Sequence, residues 1–549
     1  PASYLSPESY DKITVVKGPQ TVQYAHTGSA ATVIFEREPE QLTSAKPYRG
    51  QASVMLGSYG RLDQNVEAAV GDETKYARLN ANRSIADSYQ DGAGNTVPSD
   101  WEKWNADLAL GWTPNEDTWV ELKGGKSDGE AVYAGRSMDG SKFARESLGL
   151  HVEKKNISEV IKKVEAQVDY SYNDHVMDNF SLRKFNPADG MSMPMASNVA
   201  RRTLNARVAM TQDWGKLQLI SGIDSQKNEH TKRSGSLMSP YQNKARVGDM
   251  DFESYGAFGE LSYAFNDQHK LVTGARVDQA KIDNLVTNTE RKETLPSGFI
   301  RLENQHPHHD AKTYIGLGYV ERMPDYWELF SPVKGNGSDN TFKSIDTEKT
   351  LQLDLGYQHE HGAFSSWASA YVGLVQDFIL TKYNANNKAE TRNVDATIAG
   401  TEVGIGYQFT DALQADVSAM YAWGENTTNN TPLPQISPLE GRLNLRYVQD
   451  KYTLGALLRV VDGQSRISER EGNIVGYDEK ESSGFGVLSL NGTYNLNKGV
   501  DVSVGIDNVL DKTYTEHLNK MGNAGLGFAA NEQFNNIGRN YWARVSMKF

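Results

Sequence analysis

The chain has 549 residues, of which 38% are hydrophobic and 10% aromatic, and it contains no cysteine. Its formal net charge of −13 argues against a nucleic-acid partner, because a surface that binds phosphates would be basic. No run of about 18 apolar residues occurs, which excludes a transmembrane helix, and the lack of cysteine rules out a thiolate metal ligand within this sequence.

Residues 1–45 do not share the pattern of the rest of the chain. Short strands are predicted over 13–16, before a Gly-Pro turn, and over 32–35. We expect this stretch to be the C-terminal remnant of an N-terminal domain. Because the sequence opens inside what reads as folded structure, we also expect an export signal and the rest of that domain before Pro1.

Apolar and polar residues alternate with period two from about residue 48 to the C-terminus. In one example, Trp104, Leu108 and Leu110 fall on one face of a strand and polar residues fall on the other. We count 22 such strands, an even number. A strand of this kind suits either a membrane barrel, with lipid on one face and water on the other, or a soluble sandwich.

The connections between these strands distinguish the barrel from the sandwich, because short and long connections alternate. The short ones include 113–117, 213–215, 266–269, 359–362, 409–411, 449–451 and 495–499, and the long ones include 87–102, 174–199, 229–250, 322–346, 463–483 and 511–536. Outer-membrane barrels have short periplasmic turns and longer extracellular loops, whereas a sandwich has no reason for this asymmetry. The sequence therefore predicts an all-β fold, a 22-stranded antiparallel transmembrane β-barrel over 46–549, whose lumen is wide enough to need a plug supplied in part by 1–45.

No catalytic constellation accompanies these strands. The Gly-rich stretch 400–406 shows strand alternation and precedes no helix, whereas a nucleotide-binding loop needs a following helix N-terminus. We therefore expect neither catalytic residues nor a catalytic cofactor.

Four motifs, in order along the chain, resemble those of the TonB-dependent outer-membrane receptor family. They are a late plug motif at 11–22, a mid-barrel signature at 322–330, a penultimate-strand signature at 507–514 and a final strand from 538 to the aromatic Phe549. The resemblance covers essentially the whole chain. It implies an outer-membrane importer of a Gram-negative bacterium, surrounded by lipid and lipopolysaccharide, acting as a monomer and energised by the TonB-ExbB-ExbD complex.

A narrower resemblance is to the copper receptor branch of that family. It depends on residues 134–141, on 324–330 followed by Ser331 and Pro332, and above all on 174–179 and 191–195. In that branch a His-x-Met pair of the barrel binds copper together with a Cys-x-x-x-Met pair of the plug. His175 and Met177 match the first pair; the second has no counterpart, and the family places it before Pro1.

The chemistry of these side chains agrees with copper as the transported ligand, since thioether sulfur suits Cu(I) and imidazole suits both oxidation states. Positions i and i+2 of a strand share a face, so His175 and Met177 are expected to point into the lumen at the start of the extracellular loop 174–199. The competing interpretation is an incidental loop histidine and a methionine that packs on the plug.

Three further methionines follow in the same stretch, with Pro194 keeping it extended: Met191, Met193 and Met195. They form either a thioether relay or ordinary apolar contacts within the loop.

Two histidine clusters, at 306–309 and 359–361, are predicted on the periplasmic rim, where import needs no strong metal-binding site.

Three alternatives to copper import remain open: a siderophore or other chelate receptor, a zinc or nickel importer, and a passive adhesin or porin. The first would need an aromatic and arginine-rich pocket, the thioether argues against zinc, and the plug remnant disfavours the third.

Overall fold

The computed structural model describes residues 5–25, 28, 30–330, 340–386, 388–474 and 476–549. Ser331 and Pro332 lie outside the described residues. The described strands, in chain order, are β1 (Lys12–Lys17), β2 (Ala31–Glu36), β3 (Tyr48–Gly57), β4 (Arg61–Gly71), β5 (Lys75–Ala86), β6 (Tyr89–Gln90), β7 (Thr96–Val97), β8 (Trp101–Asn115), β9 (Thr118–Ala131), β10 (Asp139–Lys155), β11 (Ile161–Asp178), β12 (Met195–Asp213), β13 (Leu217–Ser236), β14 (Val247–Ala264), β15 (His269–Asn284), β16 (Thr289–His306), β17 (Ala311–Arg322), β18 (Glu348–His361), β19 (Phe364–Tyr383), β20 (Ala389–Gln408), β21 (Leu413–Asn426), β22 (Thr431–Pro432), β23 (Glu440–Val448), β24 (Tyr452–Val461), β25 (Glu471–Asn473), β26 (Gly476–Tyr477), β27 (Phe485–Asn497), β28 (Val500–Asp507) and β29 (Asn540–Lys548).

Twenty-two of these strands form one closed antiparallel barrel, which confirms the predicted fold class and strand number. Closure is direct: β29 pairs with β3 in a register that sets Trp542 opposite Gly57 and Lys548 opposite Gln51. The remaining strands are β1 and β2, which pair with each other, and the short loop strands β6, β7, β22, β25 and β26.

In the part of the chain that the structure describes, helical structure is confined to short pieces outside the barrel sheet. The two α-helices are α1 (Tyr326–Leu329) and α2 (Asn340–Ser344), and the 3-10 turns are Pro7–Ser9, Pro187–Asp189, Tyr241–Asn243, Pro307–His309 and Ala524–Leu526. Among the described residues, none of the helices has the length and apolar character that spanning a membrane requires.

The apolar faces predicted from alternation point away from the lumen. Leu108 and Leu110 are 49% and 51% exposed on the outer surface, whereas Ala109 between them is 5% exposed and faces inward. The same holds at the C-terminus, where Tyr541 and Val545 are 53% and 45% exposed. An outer surface of this composition fits lipid and excludes a sandwich, in which these side chains would form the core.

The barrel strands extend further towards the long loops than the sequence indicates. The alternation predicts strands over 158–173 and 215–228, whereas β11 reaches Asp178 and β13 reaches Ser236. In these extensions both faces carry polar side chains, because the wall has risen beyond the apolar band, so the period-two signal disappears while the backbone pairing continues.

β1 and β2 form a separate two-stranded antiparallel sheet, with Lys12 opposite Glu36 and Lys17 opposite Ala31. Side chains from this part of the chain contact the inner faces of barrel strands on opposite sides of the lumen. Ser9 bonds Asn80 at 3.0 Å, and Gln20 bonds Asp354 at 3.3 Å. The hairpin and its flanking residues therefore lie inside the barrel.

Residues 18–24, which we call the anchored segment, lie against the inner wall, and four of their main-chain groups bond to barrel side chains. Three wall arginines each donate to one of its carbonyl oxygens: Arg301 to Gln20 at 2.9 Å, Arg276 to Val22 at 3.3 Å and Arg207 to Gln23 at 3.3 Å. Glu260 accepts from Thr21 Oγ1 at 3.1 Å, from the Val22 N–H at 3.3 Å and from Gln23 Nε2 at 2.5 Å.

Candidate metal centre

His175 and Met177 lie on the inner face of β11. The pairing of β11 with β12 keeps an unbroken register from residue 163 to 178, so side chains alternate strictly over this stretch. Glu165 borders a cavity inside the barrel, whereas Val168 is 45% exposed on the outer surface. Odd-numbered residues therefore face the lumen, and both candidate ligands are odd-numbered and half-buried.

The expectation that these residues begin a loop is wrong. β11 continues to Asp178, β12 starts at Met195, and His175 sits opposite Val199 within the paired region. The connection proper is therefore 179–194 rather than 174–199. This difference matters for the site, because a strand paired on both sides holds the two side chains at fixed positions that a loop would not provide.

His175 is contacted by its neighbours on β10 and β12. The ring of Phe143 meets it edge-on, with ring centroids 4.7 Å apart. The main-chain carbonyl of His175 accepts a hydrogen bond from Asn198 Nδ2 at 2.9 Å, and the same amide group donates to Asp174 at 2.7 Å. The histidine is thus held on a rigid wall beside an aromatic ring.

The three methionines are at different depths. Met195 is the first residue of β12, and its parity places it on the lumen face, diagonal to Met177 across the β11–β12 pair. Met193, in the loop, is 50% exposed. Asn179 holds the chain between them: it donates to the Met193 carbonyl at 3.3 Å and accepts from the Met195 N–H at 2.8 Å. Met191 stays in the loop, where its N–H donates to Asp189 at 2.7 Å.

Three extracellular loops, at 132–138, 179–194 and 508–539, interlock beside this part of the wall. Arg183 binds the Asp139 carboxylate through Nε at 2.7 Å. Asn523 bridges the other two loops, because its N–H donates to the Ala134 carbonyl at 2.7 Å and its side chain donates to the Asp189 carbonyl at 3.0 Å. These contacts could not be predicted from the sequence, since loops of this kind have no periodic pattern of apolar residues.

The histidine clusters at 306–309 and 359–361 lie on the rim with the short turns, as predicted. His361 Nδ1 is 2.6 Å from Asp310 Oδ2, and His306 Nε2 is 2.9 Å from Thr313 Oγ1. Neither cluster brings three ligand groups together among the described residues.

One group of three metal-ligating side chains was missed by the sequence analysis. His151, Glu153 and Glu165 have ligand atoms within 4.8 Å of one another, in the part of the chain that the structure describes. The i, i+2 spacing of the first two was visible in the sequence. Their proximity to Glu165 depends on the register between β10 and β11, which the sequence alone did not provide.

Known proteins share this architecture. A family model described as TonB dependent receptor-like, beta-barrel, matches residues 80–509. The solved structure titled "Copper transporter OprC" is 48% identical, covers 100% of this chain and 87% of its own, and has a TM-score of 0.97. No curated protein sequence matches.

More distant solved structures share the fold. The FrpB iron transporter from Neisseria meningitidis is 15% identical with a TM-score of 0.75, covering 99% of this chain and 88% of its own. The ferripyoverdine receptor of Pseudomonas aeruginosa is 12% identical with a TM-score of 0.75, covering 98% and 76%.

Proposed function

The chain belongs to the TonB-dependent receptor family, and from this we propose that it imports copper across the outer membrane of a Gram-negative bacterium. It is a transport receptor and not an enzyme. The observation that supports copper as the substrate is the 48% identity, over the whole of this chain, to a protein named a copper transporter. The iron-transporting relatives are too distant to indicate a substrate and support the fold alone.

We propose that His175 and Met177 capture the metal. In support, both lie on the lumen face of one rigid strand, two positions apart, near the extracellular rim. A thioether beside an imidazole favours copper over zinc, because the soft sulfur selects Cu(I). Met191, Met193 and Met195 would then contact the metal ion before it reaches Met177. Met193 lies at the surface and Met195 on the inner wall, and Met191 lies in the loop that joins β11 to β12.

The proposed cycle follows from the family. Metal bound on the lumen face waits above residues 1–45, which we assign to the plug, with 46–549 as the barrel. The TonB-ExbB-ExbD complex then supplies the energy that opens a path to the periplasm. The barrel is proposed to act as a monomer in lipid and lipopolysaccharide.

The test is the metal content of the full-length protein, measured by mass spectrometry after exposure to copper, zinc and nickel in separate samples. The variant is His175→Ala/Met177→Ala, which removes both proposed ligands without touching the lipid-facing surface. We expect the wild type to retain copper in preference to the other metals and the variant to lose most of it.

A matched control is His361→Ala/Met210→Ala, which removes one imidazole and one thioether near the rim with the short turns, at the opposite end of the barrel wall from the site. It should retain copper like the wild type. Equal copper in the wild type and in the His175→Ala/Met177→Ala variant would refute the site. A preference for zinc or nickel would refute copper, and metal retained only when supplied as a siderophore complex would support the chelate receptor instead.

A further inference from the structure

His151, Glu153 and Glu165 converge on the inner wall at a level far below the copper-capture residues. His151 Nε2 is 3.2 Å from Glu153 Oε2, and the ligand atoms of all three lie within 4.8 Å of one another. The side chains are 19%, 11% and 20% exposed, respectively. Phe143, opposite His175, and His151 are eight residues apart on β10, so the two groups are roughly 26 Å apart along the strand.

The architecture holds this cluster in place. Glu153 sits directly opposite Glu165 in the β10–β11 pair, and His151 is diagonal to Glu165 on the same face. The ring of Trp119 packs against the imidazole, with centroids 4.5 Å apart. Because all three positions lie on paired strands near the turn at 156–160, the ligand atoms are fixed before any ion arrives.

The cluster faces open space inside the barrel. It borders a half-open cavity of about 1330 Å³ that lies between the wall strands and residues 31–43. An ion in this cavity can therefore reach these side chains.

The charges around the cluster permit cation binding. Lys155 and Lys163 are 3.6 and 3.5 Å from Glu153 and Glu165, and their side chains are 53% and 36% exposed, so these pairs are weak and readily replaced. Arg207 is the stronger competitor, at 2.6 Å from Oε1 of Glu165. Each carboxylate can accept about four bonds, so a metal ion can share Glu165 with this guanidinium.

We propose that His151, Glu153 and Glu165 form a second metal site, which binds a divalent transition-metal ion through one imidazole nitrogen and carboxylate oxygens. This donor set suits Cu(II) or Zn(II) and, unlike the capture pair, contains no thioether. Its role as a lower stop on the import path rests on the proposed function, whereas the binding of a metal ion there does not.

The experiment uses the full-length protein in a His175→Ala/Met177→Ala background, so that the capture pair is silent. Cu(II) is titrated, and binding is followed by electron paramagnetic resonance, in which a histidine ligand appears as nitrogen hyperfine coupling. Zn(II) is titrated in parallel by calorimetry. We expect saturable binding of both ions, with nitrogen coupling in the Cu(II) spectrum.

Two variants test the ligands in that background. His151→Gln should remove the nitrogen coupling, and Glu153→Gln should weaken binding by roughly tenfold or more while the coupling is kept. His361→Gln is the matched control, because His361 also pairs with one carboxylate, Asp310, at 2.6 Å, but has no third ligand group among the described residues; it should change nothing.

The site is refuted if the His175→Ala/Met177→Ala protein, with all three proposed ligands in place, shows no saturable binding. It is also refuted if neither His151→Gln nor Glu153→Gln alters the spectrum or the affinity. The first outcome needs no ligand variant, so misfolding of a variant cannot obscure it. Far-UV circular dichroism checks that each variant keeps its barrel. A failure here leaves the comparison of copper content with and without His175 and Met177 unaffected, so the two proposals are judged separately.

Discussion

Glu260 is the wall residue whose removal tests most directly how the anchored segment is held. Its carboxylate accepts three hydrogen bonds from this segment, at 3.1 Å from Thr21 Oγ1, 3.3 Å from the Val22 N–H and 2.5 Å from Gln23 Nε2. Glu260→Ala deletes all three acceptors and leaves the barrel backbone pairing between β13, β14 and β15 intact.

The size of the effect follows from these contacts. A hydrogen bond to a charged group contributes about 1.5–3 kcal/mol, but the three share one carboxylate and do not add independently. We expect the free energy of local opening of residues 18–24 to fall by about 3 kcal/mol, which corresponds to roughly a hundredfold faster exchange of their protected amides.

Hydrogen exchange with mass spectrometry measures this directly, because peptides covering the anchored segment can be separated from those of the wall strands. Asp416→Ala is the control: Asp416 also lies on the inner wall, but its side chain bonds Gln414 of its own strand, at 3.4 Å, and none of its observed contacts reaches the segment. Unchanged exchange at 18–24 in Glu260→Ala, or equal acceleration in the wall peptides, would contradict the reasoning.

Two further predictions concern the extracellular loops. Tyr326→Phe removes the hydroxyl that donates to the buried carboxylate of Asp249 at 2.5 Å, so we expect the loop around α1 to lose about 1–3 kcal/mol of local stability, measured as faster amide exchange in that loop with the wall unchanged. Burial and the nearby Arg136 lower the pKa of Lys520 to about 8, from the usual 10.5. The folded pKa is the lower one, so the packing of loop 508–539 should gain stability as the pH rises from about 8 towards 10.5, and Lys520→Met should abolish this rise in proteolytic protection; a pH response equal in both proteins would contradict it.

The barrel could be predicted because its two strongest signals are local. Each strand carries its own alternation, as at Leu108 and Leu110, and each periplasmic turn is short enough to join neighbouring strands without ambiguity. Strand ends towards the loops were wrong because alternation stops where lipid stops, whereas pairing does not. β13 ends at Ser236, in a polar stretch without an apolar face, so alternation does not mark this end of the strand.

The candidate sites also differ in how far they could be predicted, because some of their features lie within one strand and others depend on the pairing of two strands. The shared face of His175 and Met177 follows from a spacing within one strand, so the sequence predicted it. The relation of Met195 to Met177, and of Glu165 to His151, depends on which residues lie opposite each other in two strands, and a shift of one residue would turn one of the two faces outward. Register is set by turn geometry and pairing along the whole hairpin, which a single-strand pattern does not contain.

The contacts inside the barrel also differ in strength between two stretches of the chain, 18–24 and 37–40. The anchored segment, 18–24, is held largely by charged side chains bonded to neutral main-chain groups, at about 1.5–3 kcal/mol each. Further along the chain, Arg37 pairs with Glu67 and Glu40 pairs with Arg49, and both glutamates are less than one-tenth exposed. Breaking a buried pair leaves an uncompensated charge, at about 3–5 kcal/mol. Contact for contact, 18–24 is therefore held less strongly than 37–40, whose buried ion pairs join the chain to the first barrel strands.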